Sequence, residues 1–225
     1  MINKGNNVSN IYIQDNYVVK SVHVEDQLKL DNLLYEYLIG IRLNYQNNFI
    51  QTIKFETIQK KIDITHLLQL DKASSVYSLN YIPHKLYINL FKGVTLYDKV
   101  FSISFFQLKI FFLSLANFFL ENRYFRHNDL HWHNIMLNDN TFVLIDYARS
   151  EIIGILEYDF DNKNNDIVSI LNMLLDCLQI VSRRSLKEKL MIIQFKRNVK
   201  NLKKKIKNPE KNRWIYLKDI ISLCN

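Results

Sequence analysis

Asp129, Asn134 and Asp146 are residue types that do chemistry, set at spacings that let them act together. In His127-Asn128-Asp129-Leu130-His131-Trp132-His133-Asn134-Ile135-Met136, an Asp follows a His by two positions and an Asn follows that Asp by five. A short apolar run, Phe142-Val143-Leu144-Ile145, then ends on Asp146. A carboxylate such as Asp129 can accept or orient the proton of a hydroxyl. A second carboxylate and a neutral amide oxygen, Asp146 and Asn134, suit Mg²⁺, which takes few protein oxygens and completes its shell with phosphate and water. The plainer reading makes both Asp residues surface turn carboxylates. Two linked motifs at these spacings argue against it.

The spacing resembles the catalytic loop H-R-D-x-x-x-x-N and the downstream D-F-G of the protein-kinase-like superfamily, which includes protein kinases and the small-molecule kinases of the aminoglycoside and choline type. The resemblance implies transfer of the γ-phosphoryl of ATP with Mg²⁺. It implies Asp129 as the residue that orients the acceptor hydroxyl, and Asn134 and Asp146 as metal ligands. His127 matches the structural His of the loop. His131 falls where serine/threonine kinases commonly carry a Lys beside the transferred phosphate; a His there can donate a hydrogen bond but is only partly charged near neutral pH. A zinc reading of His127, His131 and His133 lacks a Cys or His pair elsewhere to complete a tetrahedral site.

These residues need elements to position them. Tyr17-Val18-Val19-Lys20-Ser21-Val22 reads as a strand carrying a single Lys. Asp31 is placed to cap a helix whose apolar turns are Leu33, Leu34, Leu38 and Ile41, with Glu36 inside it. By resemblance, Lys20 contacts the α/β-phosphates and pairs with Glu36; the plainer reading is a surface Lys and an exposed helix Glu. Glu25 is the competing partner, but it precedes the apolar helix. The segment Gly5 to Tyr12, with Gly5 and Ile11, occupies the place of the phosphate-covering loop. It has one Gly where the family pattern has three, and its Asn residues partly substitute by tolerating left-handed turns. Leu86 to Leu96 resembles a last N-lobe strand, an adenine hinge and a Gly before a short helix. Ile88 then backs the adenine pocket, and backbone groups of Asn89 to Phe91 bond the adenine edge. Phe101 to Leu120 has nearly transmembrane length, but Ser102, Ser104, Gln107, Lys109, Ser114 and Asn117 interrupt it, so it reads as a long buried helix.

After Asp146 the chain departs from regulated protein kinases. Tyr147 and Ala148 stand for Phe and Gly, Asn128 for the loop Arg, and no A-P-E follows. Asp166, only twenty residues on, opens the apolar run Ile167 to Leu175 and is expected to bond back to the catalytic loop. That interval is too short for a peptide-docking platform. Activity is therefore expected without loop phosphorylation, as in minimal kinases of the Rio, Bud and viral sort. Abundant Asn, Ile and Lys suit an AT-rich genome such as that of a large DNA virus or a parasite.

The 225 residues are 48 % hydrophobic, enough to bury the core of one bilobal domain. The two cysteines exclude a disulfide framework and suit a reducing compartment, the cytoplasm. The start is polar, without a signal peptide. Between Arg183 and Asp219 stand fourteen Lys or Arg against three Asp or Glu, so this stretch carries +11 while the whole chain carries +8. Apolar Leu186, Leu190, Ile192, Ile193, Phe195, Val199, Leu202 and Ile206 interleave there, which predicts one or two amphipathic helices. Their basic outer face is either a solvated surface or a contact for an acidic protein, nucleic acid or anionic lipid. Residues 60–83 read least clearly, as an insertion with a loop at 71–75.

The expectation is an α+β, bilobal kinase-like fold spanning 1–225: N-lobe about 1–91, C-lobe core 92–181, basic helical part 182–225. The leading function is a minimal serine/threonine protein kinase. A small-molecule kinase of the choline or aminoglycoside type is the alternative, and a non-catalytic pseudokinase scaffold a third.

Overall fold

The computed structural model describes residues 10–23, 27–44, 46, 48–63, 78–138, 141–156, 165–182 and 188–225. In chain order the elements are β1 (Asn10–Gln14), β2 (Tyr17–Ser21), α1 (Gln27–Leu43), β3 (Thr52–Asp63), β4 (Ser78–Asn89), β5 (Val94–Thr95), α2 (Leu96–Lys99), α3 (Phe105–Glu121), β6 (Phe125–Arg126), β7 (Ile135–Asn138), β8 (Thr141–Leu144), β9 (Glu151–Ile152), α4 (Asp166–Ser182), α5 (Lys189–Lys205) and α6 (Arg213–Cys224). A 3₁₀ turn covers Tyr147–Arg149. The architecture is α+β. Its contacts divide it into two units, Met1–Lys92 with Val143–Asp161, and Gly93–Phe142 with Asn162–Asn225.

The first unit is built on an antiparallel sheet of order β1-β2-β4-β3. β1 and β2 join through Asp15 and Asn16, and Asp15 takes φ +53°, a setting that Asp tolerates better than most residues. β2 is an inner strand, so Val19 and Lys20, on opposite faces, are both buried. α1 covers the sheet with Leu30, Leu33, Leu34, Tyr35, Ile39 and Leu43. This shifts the stripe expected from sequence. The helix begins at Gln27, so Asp31 lies inside it and is no cap, and Ile41 is exposed. Residues 60–63 and 78–83 belong to the long β3–β4 ladder; 71–75 lie outside the described residues.

Gly40 sets how closely α1 approaches β3. A Cβ there would overlap the Thr52 side chain. The close approach lets Asn44 act as a strand mimic: its Nδ2 donates to Thr52 O at 2.7 Å, and its Oδ1 accepts from Thr52 N–H at 2.9 Å.

Val143–Asp161 falls in the first unit, where its backbone is stitched. Leu144 N–H donates to Asn48 O at 2.9 Å, and Ile50 N–H donates to Leu144 O at 3.3 Å. Tyr35 Oη donates to Leu156 O at 3.1 Å.

The second unit centres on α3. Ser104 and Gln107, which read as interruptions in sequence, form a capping box: Ser104 Oγ accepts from Gln107 N–H, and Gln107 Oε1 accepts from Ser104 N–H. Phe112, Leu115 and Phe119 are fully buried, each stabilising the fold by about 1.5–3 kcal/mol. α4 is buried along Ile167, Ile170, Leu171, Leu174 and Leu178. α5 and α6 pack against α4 and α3 within this unit. In α5, Ile192, Phe195, Val199 and Leu202 face inward, while Leu190 and Ile193 are exposed, against the expected stripe. Leu186 lies outside the described residues. Among the described residues no helix is long and apolar enough to cross a membrane.

Gly40→Ala tests the close approach. Relieving a helical Gly gains about 1 kcal/mol, but overpacking costs about 1–3 kcal/mol and displaces the Asn44 bonds. Urea unfolding should show a net loss of about 1–2 kcal/mol. A second change, Thr52→Ala, should return part of it.

Candidate functional site

In the first unit, Lys20, Glu36 and Asp146 converge. Lys20 Nζ donates to Glu36 Oε1 at 2.6 Å and to Asp146 Oδ1 at 2.8 Å. Lys20 and Glu36 are buried, at 8 % and 2 % exposure, and the Asp146 side chain is 39 % exposed. A buried ammonium is tolerated only when paired and hydrogen-bonded. Burial alone lowers the Lys20 pKa, but the Asp146 and Glu36 carboxylates outweigh it and hold it above its ordinary value. Burial pushes the Glu36 carboxyl above its ordinary range, with Lys20 pulling against it. The surface reading of Lys20 and Glu36 is thereby excluded. Glu25 lies outside the described residues.

The local backbone explains how Asp146 is held. It takes φ +66° and ψ +74°, immediately before the 3₁₀ turn. Tyr147 is fully buried; its hydroxyl donates to Leu144 O at 2.7 Å and accepts from Ile50 N–H at 2.6 Å. The hydroxyl that distinguishes Tyr147 from a Phe thus ties the chain on either side of Asp146's turn. Sequence marked the substitution but not this use of it.

The expected hinge ends β4. Ile88 is buried. Asn89 N–H is bound to Gln51 O and Leu90 N–H to Asn16 O, each at 2.9 Å. These two N–H groups are engaged within the first unit. Ile11 lies in β1, so the turn of the described hairpin is at Asp15 and Asn16; Gly5 lies outside the described residues.

In the second unit, the loop from His127 to Asn134 is held from below by Asp166. Its Oδ2 accepts from His127 N–H and its Oδ1 from Asn128 N–H, both at 3.0 Å. This is the bond back to the loop that the sequence leads one to expect. Asn128 takes φ +57°, which Asn accommodates. Asn134 Nδ2 donates to Asp129 O at 3.0 Å, which leaves the amide oxygen as the atom not used in this bond. Asp129 is partly exposed, and Asn134 is buried. His131 Nδ1 accepts from His133 N–H at 3.3 Å.

Asp146 carries a partly exposed carboxylate and Asn134 an amide group, each an oxygen donor of the type Mg²⁺ takes. Among the described residues no cluster of three or more His, Cys, Asp or Glu side chains could hold a metal alone.

Sequence reading missed Arg213. It sat in a Lys-rich run counted as solvent-facing, yet it is buried and bonded to Asp166 at 3.2 Å. Nothing in its local sequence separates it from the lysines around it.

Comparison with protein-family models and with curated proteins gives no match.

Lys20→Met leaves Glu36 buried without its cation, which should cost about 3–5 kcal/mol near neutral pH. The penalty depends on pH. A carboxyl raised in the folded state contributes stability that is present below its unfolded value, about 4.3, and lost as pH rises through the folded value. Urea titrations should therefore find the variant closer to wild type at pH 5 than at pH 8; a pH-independent penalty would contradict the assignment.

Proposed function

We propose that the chain is an ATP-dependent phosphotransferase acting on an alcohol, a minimal serine/threonine protein kinase with a bilobal kinase-like fold. The observation that carries this reading is the Lys20 ammonium bonded to both Glu36 and Asp146. Three residues that phosphoryl transfer would need beside the nucleotide phosphates, drawn from a strand, a helix and a segment 126 positions later, meet on one buried charge.

On this reading Lys20 binds the α/β-phosphates while Glu36 holds it in place. Ile88 backs the adenine and backbone groups among Asn89 to Phe91 bond its edge, with Ile11 toward the phosphates. Asp146 and Asn134 would hold Mg²⁺, which would supply neutralisation of phosphate charge. Asp129 orients the acceptor hydroxyl and takes its proton. His131 donates a hydrogen bond to the transferred group. The Asp166 bonds fix the backbone under Asp129, and positioning is most of what this reaction asks of a protein. The reading requires both units to act on one nucleotide.

A small-molecule acceptor of the amino-alcohol kind is the second reading. The twenty residues from Asp146 to Asp166 favour it, because they leave little chain for docking a peptide. A pseudokinase scaffold is disfavoured by the presence of Lys20, Asp129, Asn134 and Asp146 together. The cytoplasm, of a host cell or otherwise, suits both cysteines: Cys177 and Cys224 are free and buried, and burial pushes their thiols up to about 12 and about 11.

Incubation of the intact chain with labelled ATP, casein, a basic protein and a panel of amino alcohols tests the class and sorts the acceptors. Asp129→Asn should keep nucleotide binding and lose about 10²–10⁴ in rate. Asp146→Asn should weaken Mg·ATP binding instead. Transfer that survives both changes rejects the site.

The basic face adds a proposed partner. Lys200, Lys203, Lys204, Lys205 and Lys207 are exposed at the end of α5 and just beyond it, and clustered charge of one sign recruits an acidic protein or nucleic acid with steep salt dependence. Changing all five to Gln should abolish such binding at low salt, with ATP turnover near wild type. Binding that persists, or that ignores salt, favours a plain solvated face.

A further inference from the structure

We propose that the segment Glu210–Arg213 is a clamp that positions the loop His127–Asn134 from the C-terminal end of the chain, with Arg213 as its central positioning residue. The role in turnover rests on the phosphotransfer reading; the clamp itself rests on the geometry of the second unit.

Five contacts build it. Arg213 Nη2 donates to Phe125 O at 3.0 Å and to Asp166 Oδ2 at 3.2 Å. Its guanidinium carbon lies 5.3 Å from the centroid of the Phe119 ring, stacking the cation on α3. Glu210 Oε2 pairs with Arg126 Nη2 at 2.7 Å, and Glu210 Oε1 accepts from Asn165 Nδ2. Two residues of one short segment thus grip both β6, which leads into the loop, and the start of α4, which supports the loop from below. The charges alternate: Arg126 against Glu210, Asp166 against Arg213.

Asp166 gives the clamp its consequence. Its side chain is 1 % exposed, and its two oxygens hold the N–H groups of His127 and Asn128. A carboxylate so buried needs a counter-charge. Arg213 is that charge, and the same Nη2 also donates to Phe125 O, two residues before the first bonded amide. The segment is itself anchored: Tyr216 Oη donates to Lys207 O at 2.8 Å and accepts from Lys207 N–H at 2.9 Å. Asn165 caps α4 by accepting from Ile167 N–H at 3.0 Å, so Glu210 steadies the helix start as well. The last helix of the chain is therefore wired to the loop that carries Asp129.

The test is Arg213→Met in the full-length chain, which removes the charge and keeps much of the volume. Amide hydrogen exchange is read at His127 and Asn128 against α3 amides such as Leu115, alongside kcat and KM for ATP. The clamp predicts about tenfold faster exchange at His127 and Asn128 with α3 unchanged. It predicts kcat lower by about 10–100-fold with KM for ATP nearly unchanged, because a displaced loop loses orientation and not nucleotide contacts. Arg213→Lys should recover part of both, and serves as the probe if Arg213→Met does not fold. Unchanged exchange at His127 and Asn128 overturns the proposal, as does exchange that rises equally throughout α3 and α6 in both variants. If the amides lose protection in a protein whose wild type transfers no phosphate, the clamp stands and the phosphotransfer reading fails.

Discussion

A single buried ammonium organises the first unit. Lys20 sits on an inner strand, where an unpaired charge would cost far more than any one contact returns. Two carboxylates make it tolerable, and each draws a different part of the chain to the sheet. Glu36 requires α1 to lie over β2 in one register. Asp146 requires the chain after β8 to return beside them, and the Tyr147 hydroxyl and the Leu144 backbone hold it there. Gly40 and Asn44 then fix how near α1 comes to β3. Removing the pair would leave helix, strand and return segment each with a polar group out of place. Lys20 is also the group whose charge a polyphosphate could share, so the interaction that holds the unit together is the one that would bind a ligand.

The second unit repeats the logic with signs reversed. Asp166 is the buried charge, and it is satisfied by two backbone N–H groups and by Arg213. The aromatic packing around α3 would accept many loop conformations. The carboxylate accepts one, because both of its oxygens are used. The left-handed setting of Asn128 follows from presenting two successive N–H groups to one side chain.

What the sequence made legible follows from which constraints are local. Asp129, Asn134 and Asp146 stand out because few residue types offer such oxygens, and their spacing resembles a known loop. Lys20 and Glu36 follow from order along the chain, and Asp166 from the apolar run behind it. The failures are equally physical. Asp31 looked like a cap because Asp is a good one, but α1 starts earlier and buries Leu30. Ser104 and Gln107 looked like polar faults in an apolar helix, although together they start it. Arg213 was hidden among lysines because burial is set by tertiary packing, which charge counting cannot see.

The proposed function makes the Lys20–Glu36–Asp146 cluster a metal-assisted polyphosphate site. The most direct measurement is calorimetric titration of the wild-type chain with ATP, in the presence of Mg²⁺ and again with the ion chelated. The account predicts one nucleotide per chain, bound about tenfold or more tightly with Mg²⁺ than without, a difference of about 1.4 kcal/mol or greater. An absence of binding, or binding indifferent to the ion, would contradict it.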